Sequence, residues 1–390
     1  MNTRWRLPRG VDELLPPHAW RLEQVRRHTL NLLNANGFEY IEPPVIEYLD
    51  ALLVGSGEDM DLQTLEVVDQ VSGKQMGVRA DMTSQAVRID AHSRMVDGIA
   101  RLCYAGPVVF ANPQIADSSR VPFKAGAEIF GSTSIHADAE VVRLMLEVVQ
   151  AAGVQQPVLC VGHMGIYRGL VDAMLAAGDL AEDTLPALFK AVQRKAAPDI
   201  QNLVSGPLSS MMVALPTLMA QIDGKDIAPV MAGIRSALSG APEDVIGAVD
   251  DLQALITLVT EENAVDGVRV DVSELSGYGY HNGPVFAVYH PTQGSALAQG
   301  GRYDGVGEIF GRARAATGFD VNLKALIGED TAAEPVWFAP FVEGDERLAL
   351  LATTRQLRAD GKRVVVAVDA NEQPPQGALV LKNVEGTWQT

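Results

Sequence analysis

The chain has 390 residues, too many for one ordinary core and enough for two or three units. Hydrophobic residues make up 47% and charged residues 21%, the balance of a globular protein, and no run of about 18 apolar residues offers a membrane span. The formal net charge is -18, from 49 acidic against 31 basic residues. That opposes a grip on nucleic acid, which needs clustered Lys and Arg, and leaves small ligands and protein partners open.

Arg4, Arg6 and Arg9 have no apolar stretch behind them, so the N-terminus is not a secretory signal and a cytoplasmic location is expected. Cys103 and Cys160 sit in apolar runs without metal-type spacing. They read as reduced core residues, and neither a metal nor a cofactor is expected.

The opening segment, Leu7 to Pro17, is turn-rich. A helix is expected from about His18 to Asn36, where Leu22, Val25, Thr29, Leu32 and Leu33 share one face and Gly37 is a natural stop. Phe38 to Pro44 reads as a strand ended by two prolines. Thr64 to Asp69 and Met76 to Arg79 read as strands around a Ser72-Gly73-Lys74 turn. A helix over Ser84 to Ala91 comes after Asp81, with Thr83 as its expected N-cap. Cys103 to Phe110 and about Phe123 to Ser132 form a hairpin with a long tip, Asn112 to Arg120. Ala137 to Gly153 is another amphipathic helix. The strand Pro157 to Val161 precedes His163 and Tyr167, which suit either core or an interface.

From about Gly165 to Glu262 the composition turns Ala-, Leu- and Met-rich, and a helical insertion over 165–262 is expected. Strands resume at Val268 to Ser273, Val285 to Tyr289 and Ser295 to Ala298, before a glycine-rich turn over Gly300 to Gly305. The core is expected to span 1–330 and a small C-terminal α/β domain 331–390. That tail should hold a helix at about Asp345 to Ala359 and strands at Arg363 to Val368 and near Ala378 to Lys382. Antiparallel-type strands with helices between them, and no regular βαβ alternation, give an α+β fold. Gly277-Tyr278-Gly279 is no dinucleotide fingerprint, because the next segment is strand-like where a helix N-terminus is needed.

Four segments, in order, resemble the catalytic domain of class II histidyl-tRNA synthetases. Leu7-Pro8-Arg9-Gly10-Val11-Asp12 through Pro43-Pro44 is similar to the opening segment and motif 1, the dimerisation element. Val78-Arg79-Ala80-Asp81-Met82-Thr83 parallels the family's Arg-Pro-Glu-Gly-Thr. Tyr104 to Pro107 and Gly126 to Gly131 align with motif 2 without a gap. Ser276 to Gly283, then Gly300 to Gly305 and on to motif 3, form the fourth. The resemblance implies an antiparallel sheet flanked by helices.

The departures carry the functional reading. In the synthetases a motif 2 arginine holds the α-phosphate of ATP; here Phe110 stands at that position and Asn112 at the nearby glutamate's. Motif 3 ends in a second ATP-binding arginine, and Ala325 stands there. The histidine-specific motif contributes a third, and Ser276 occupies it. Arginine offers a fixed fork of donors matched to phosphate oxygens, which serine and alanine cannot replace. Losing one preorganised donor typically costs about 10²–10³ in rate, so adenylation is not expected. Arg120 is the nearby alternative, on the hairpin's return side. Only about 60 residues come after the core, too few for the synthetases' larger anticodon-binding domain.

The amino-acid side of the pocket is retained. The resemblance gives Asp81 and Thr83 the α-ammonium group and Glu128 an imidazole N–H. Tyr280 and His281 would line the site, and Lys124 would pair with the carboxylate. Singly, each has an ordinary structural explanation, such as helix entry, a strand charge or packing. A catalytically silent core of this length resembles the regulatory subunits of ATP phosphoribosyltransferase, the HisZ family. Arg79-Ala80-Asp81-Met82-Thr83, Val161-Gly162-His163-Met164-Gly165-Ile166 and Val285-Phe286-Ala287-Val288-Tyr289 resemble it in particular. Membership would imply a hetero-oligomer with the short-form catalytic subunit, commonly four of each, a self-dimer and L-histidine as effector. The partner would join ATP to phosphoribosyl pyrophosphate in the first step of histidine biosynthesis. The hairpin tip is the expected switching element. The alternatives are a divergent class II ligase that activates an amino acid with ATP, and a binding module that borrowed the fold.

Overall fold

The structure is a computed structural model. It describes residues 5–53, 62–112, 119–224, 226–261, 265, 267–275, 279–292, 294, 296–328 and 335–389. The chain divides into two compact units: Met1–Leu14 with Ala19–Gly328, and Leu15–His18 with Glu329–Thr390.

The first unit is organised on a nine-stranded sheet. From one edge the strands are Glu39–Tyr40, Ala100–Pro107, Phe123–Phe130, Ala316–Asn322, Ala296–Arg302, Pro284–Tyr289, Val158–His163, Gly267–Asp271 and Met219–Asp223. Two neighbouring pairs are parallel: Glu39–Tyr40 with Ala100–Pro107, and Val158–His163 with Gly267–Asp271. The other neighbours are antiparallel. This is the α+β architecture expected from the sequence.

Helices cover the sheet through apolar faces at helical spacing. Ile135–Ala151 starts at Ser134, whose side chain accepts from the His136 amide, and it buries Val142, Met145, Leu146 and Val149. Glu243–Glu261 buries Val245, Val249, Leu252, Ile256 and Val259. Each such side chain, fully buried, stabilises the fold by about 1.5–3 kcal/mol. A second, three-stranded sheet in the order Ile46–Tyr48, Gln75–Val78, Leu65–Val68 precedes the helix Thr83–Arg88. No described helix is long and apolar enough to cross a membrane.

Three local expectations are corrected. The 165–262 segment is not wholly helical: Met219–Asp223 pairs antiparallel with Gly267–Asp271 and forms the sheet's edge. Only Ile222 of that strand is buried, so its apolar signal was too weak to stand out in Ala- and Met-rich surroundings. Gly300 and Gly301 belong to the strand Ala296–Arg302, and the turn starts after it. A Cβ on Gly300 would come within 2.2 Å of the Gly318 carbonyl oxygen, so glycine there serves close strand packing. Thr83 does not cap its helix; the N-cap position is Met82 and no side chain caps it.

Buried arginines tie the unit together. Arg302 meets Asp138 at 2.6 Å and donates to the carbonyls of Ser132 (2.8 Å) and Ser134 (3.1 Å), anchoring the loop that enters the helix Ile135–Ala151. Arg314 meets both oxygens of Asp90 at 2.8 Å. Arg79 donates from Nη1 to Pro43 O (2.6 Å) and from Nε to Pro107 O (3.0 Å).

The second unit holds a parallel three-stranded sheet in the order Arg363–Val366, Val336–Ala339, Leu379–Val380 and the helix Gly344–Ala359. It ends in a hairpin, Lys382–Val384 with Thr387–Gln389, which the sequence pattern did not reveal. Its core is Ala339, Leu350, Leu381 and Trp388.

The Arg302–Asp138 pair is out of water on both sides, so removing one partner strands a buried charge. Asp138→Ala is expected to lower unfolding stability by about 3–5 kcal/mol, read by chemical denaturation.

Candidate functional site

Strand alternation builds the site. Along Phe123–Phe130, Ala125, Ala127 and Ile129 face the main core, while Lys124, Gly126, Glu128 and Phe130 face the other way. Register brings Tyr104 opposite Gly126 on one neighbour. On the other it brings Gly318 opposite Glu128 and Asp320 opposite Gly126. One sheet face therefore collects Tyr104, Lys124, Glu128 and Asp320. The two glycines are required by proximity. A Cβ on Gly126 would lie 2.6 Å from the Tyr104 ring, and one on Gly318 would lie 1.5 Å from Glu128 Oε2.

Glu128 is 1% exposed and is held between two phenols. The Tyr104 hydroxyl donates to Oε1 at 2.7 Å and the Tyr303 hydroxyl to Oε2 at 2.6 Å. Tyr104 in turn shares a 3.2 Å hydrogen bond with Thr83 Oγ1. Burial pushes the Glu128 carboxyl up to about 8, with the charge of Asp81 adding to it and the tyrosine hydrogen bonds opposing it. Burial raises Tyr104, Tyr280 and Tyr303 well above the ordinary phenol value, so all three remain neutral donors.

Aromatic rings adjoin Tyr303. Tyr280 lies 4.2 Å from the His281 ring and edge-on to Tyr303 at 6.0 Å, between ring centres. Lys124 Nζ meets Asp320 Oδ1 at 3.0 Å. Burial works against the Lys124 charge, but Asp320 and Asp81 more than offset it and hold the ammonium above its ordinary value. Asp81 Oδ1 is shielded from solvent and has no hydrogen-bond partner among the described residues. Asp81 and Asp320 thus act on a single ammonium, Lys124, and the caged carboxyl of Glu128 lies further along the same strand face. That excess of acceptor groups suits a ligand bringing N–H donors or positive charge.

The six predicted site residues, Asp81, Thr83, Lys124, Glu128, Tyr280 and His281, converge on this region. Sequence reasoning missed Tyr104 and Tyr303 as the partners of Glu128, and Asp320 as the partner of Lys124. The signal was present in the alternation of the strands: Asp320 lies two residues from Gly318, on the face that Glu128 shares.

Of the residues that the sequence resemblance sets at the synthetase arginine positions, Phe110 is buried in a cluster with Val108, Met82 and Ala80, and Ala325 is exposed on the short helix Leu323–Leu326. Ser276 and residues 113–118 of the hairpin tip lie outside the described residues. Arg120 does not substitute. Its Nε donates to Phe110 O at 2.8 Å and its Nη1 to Arg9 O at 3.3 Å, so the guanidinium is committed to backbone.

A family model described as histidyl-tRNA synthetase matches residues 10–326. Fold and site therefore define a histidyl-tRNA synthetase-like chain. The ATP phosphoribosyltransferase regulatory subunit of Chromohalobacter salexigens is 43% identical, over 99% of this chain and 97% of its own length. That of Thioalkalivibrio sulfidiphilus is 44% identical, over 93% and 91%. The chain belongs to the family of ATP phosphoribosyltransferase regulatory subunits, paralogues of the histidyl-tRNA synthetase core.

Solved structures share the fold. An ATP phosphoribosyltransferase regulatory subunit/histidyl-tRNA synthetase from Bacillus halodurans has a TM-score of 0.82 at 23% identity, covering 97% of this chain and 99% of that one. Histidyl-tRNA synthetase from a Nostoc species has a TM-score of 0.76 at 17% identity, covering 96% and 88%. Membership in a family of regulatory subunits makes this a non-catalytic chain.

The raised Glu128 value fixes a pH dependence. Between its ordinary value of 4.5 and about 8, the native state holds a proton that the unfolded chain has released. The contribution of this group to stability is therefore full below about 4.5 and is lost as pH rises toward 8. Thermal and urea unfolding of wild type should weaken across that window by up to about 1.4 kcal/mol per pH unit relative to Glu128→Gln, which mimics the neutral acid. Parallel pH profiles for the two proteins would refute the assignment.

Proposed function

We propose that this chain activates the short-form catalytic subunit of ATP phosphoribosyltransferase and relays feedback from histidine bound in the Glu128 pocket. The observation that carries the reading is the shielded, unpartnered oxygen of Asp81 beside the caged carboxyl of Glu128. A histidine α-ammonium would satisfy Asp81 and Thr83, and its imidazole would hydrogen-bond Glu128 between Tyr280 and His281. Lys124 would share its charge between Asp320 and the ligand carboxylate.

Feedback requires that histidine bind the active and inactive arrangements of the complex with different affinity, since equal binding shifts nothing. A coupling of about 1–3 kcal/mol gives useful control. In this reading residues 1–330 are the sensing core and 331–390 a C-terminal domain. The chain works in the cytoplasm in a hetero-oligomer of four regulatory and four catalytic subunits. Self-dimerisation through the motif 1 element is supported by the exposure of Tyr40, Val45, Ile46 and Tyr48.

Calorimetric titration of the purified chain and of the assembled complex with histidine tests the pocket. Micromolar-range binding that is lost in Asp81→Ala/Glu128→Ala is expected. Binding that survives in the double variant would move the feedback site elsewhere. Amino-acid-dependent exchange of pyrophosphate into ATP by the pure chain would overturn the regulatory reading as a whole.

A further inference from the structure

A second polar site lies where two helices cross. Met164–Ala177 and Glu243–Glu261 approach closely because Gly165 and Gly169 face Ala248 and Val245. A Cβ on Gly169 would come within 2.7 Å of Val245 Cγ2, and one on Gly165 within 3.2 Å of Ala248 Cβ. Beside the crossing is an open groove of about 600 Å³. Its lining includes Asp172, Asp244, Asp250 and Asp251, with Arg168 as the cation among them. None of the side chains named above for the pocket around Glu128 lines it.

His163 borders this groove and is only 5% exposed. Its Nδ1 accepts from the Gly165 amide at 3.1 Å, which caps the helix Met164–Ala177. Burial, with Arg302 adding to it, pulls the ring's pKa down to about 3, so the imidazole is neutral. A neutral ring that accepts through one nitrogen carries its proton on the other. That Nε2–H has no hydrogen-bond partner among the described residues. The facing carboxylate oxygen, Asp251 Oδ2, is 3.9 Å away, beyond hydrogen-bond reach. Buried N–H donors are rarely left unmet, because their desolvation is uncompensated.

The carboxylates divide into two sets. Asp250 is held by Arg235 at 2.6 Å, and Asp244 accepts from the Val245 amide at 3.0 Å. Asp172 and Asp251 stand exposed at the rim. We propose that this groove receives a lysine or arginine side chain of a peptide segment from a protein partner, with a peptide carbonyl accepting from His163 Nε2–H. The rim selects a cation through Asp172 and Asp251. The floor selects a neutral acceptor, because a ligand carboxylate there would sit in the field of four aspartates. A residue within a peptide supplies both groups, whereas a free amino acid supplies its acceptor as a charged carboxylate. The inference is independent of histidine binding at Glu128.

The test titrates the full-length chain at low salt with N-acetyl-L-arginine amide and follows the histidine-ring NMR signals. Free L-arginine is the comparison, and Asp172→Asn/Asp251→Asn the variant. Both substitutions lie on the surface, and unfolding curves verify that the variant is folded. Saturable movement of the His163 signal, weaker binding of free L-arginine and a loss of about tenfold in the variant are expected. No movement of the His163 signal overturns the proposal. So does an affinity unchanged in the variant, or tighter binding of free L-arginine, which marks a small-molecule site instead.

Discussion

A carboxyl group with 1% exposure sets the terms for the centre of this molecule. Burying Glu128 is tolerable only because two phenols meet both of its oxygens. That demand propagates outward. Tyr104 must lie flat over a residue without a side chain, hence Gly126, and the carboxyl needs clearance on the next strand, hence Gly318. Tyr104 also bonds Thr83, which fixes the start of the helix Thr83–Arg88 against the sheet. Tyr303 lies just past the strand Ala296–Arg302, so the same carboxyl holds the turn beyond that strand.

Positive charge is distributed in a way that separates this chain from an ATP-using relative. Four of its buried or half-buried arginines serve the scaffold. Arg302 holds Asp138, Arg314 holds Asp90, and Arg79 and Arg120 hold peptide carbonyls. Lys124 faces the pocket but is already bonded to Asp320. A triphosphate needs fixed cationic forks directed at it, and those seen here serve the scaffold. The pocket presents acceptor oxygens, which suit a ligand bringing N–H donors or positive charge.

Much of this was legible in the sequence, for reasons that differ by element. The hairpin from Ala100 to Phe130 was visible because both strands are apolar and flank a polar tip. The helices Ile135–Ala151 and Glu243–Glu261 were visible through their apolar faces. Asp81, Thr83, Lys124, Glu128, Tyr280 and His281 were proposed as one pocket from order and spacing along a familiar scaffold. Their partners were not, because Tyr104–Glu128 and Tyr303–Glu128 are pairings across strands, set by register and not by neighbours in the chain. The edge strand Met219–Asp223 was hidden by having a single buried side chain. The C-terminal hairpin was hidden by an exposed Lys382–Val384, with Trp388 as its one buried anchor.

Arg79 is 3% exposed, and its guanidinium reaches one carbonyl at Pro43 and another at Pro107. Each is a peptide oxygen with no formal charge, so the cation is stabilised by dipoles from two segments far apart in sequence, with the charge of Glu42 acting on it as well. A lysine has its donors at a single point and cannot span two such acceptors in fixed directions. The two arginine bonds therefore act as a crosslink of set length between the segment that ends motif 1 and the strand that carries Tyr104. Through this crosslink the segment beside the exposed Val45 and Ile46 is tied directly to the strand whose Tyr104 holds Glu128.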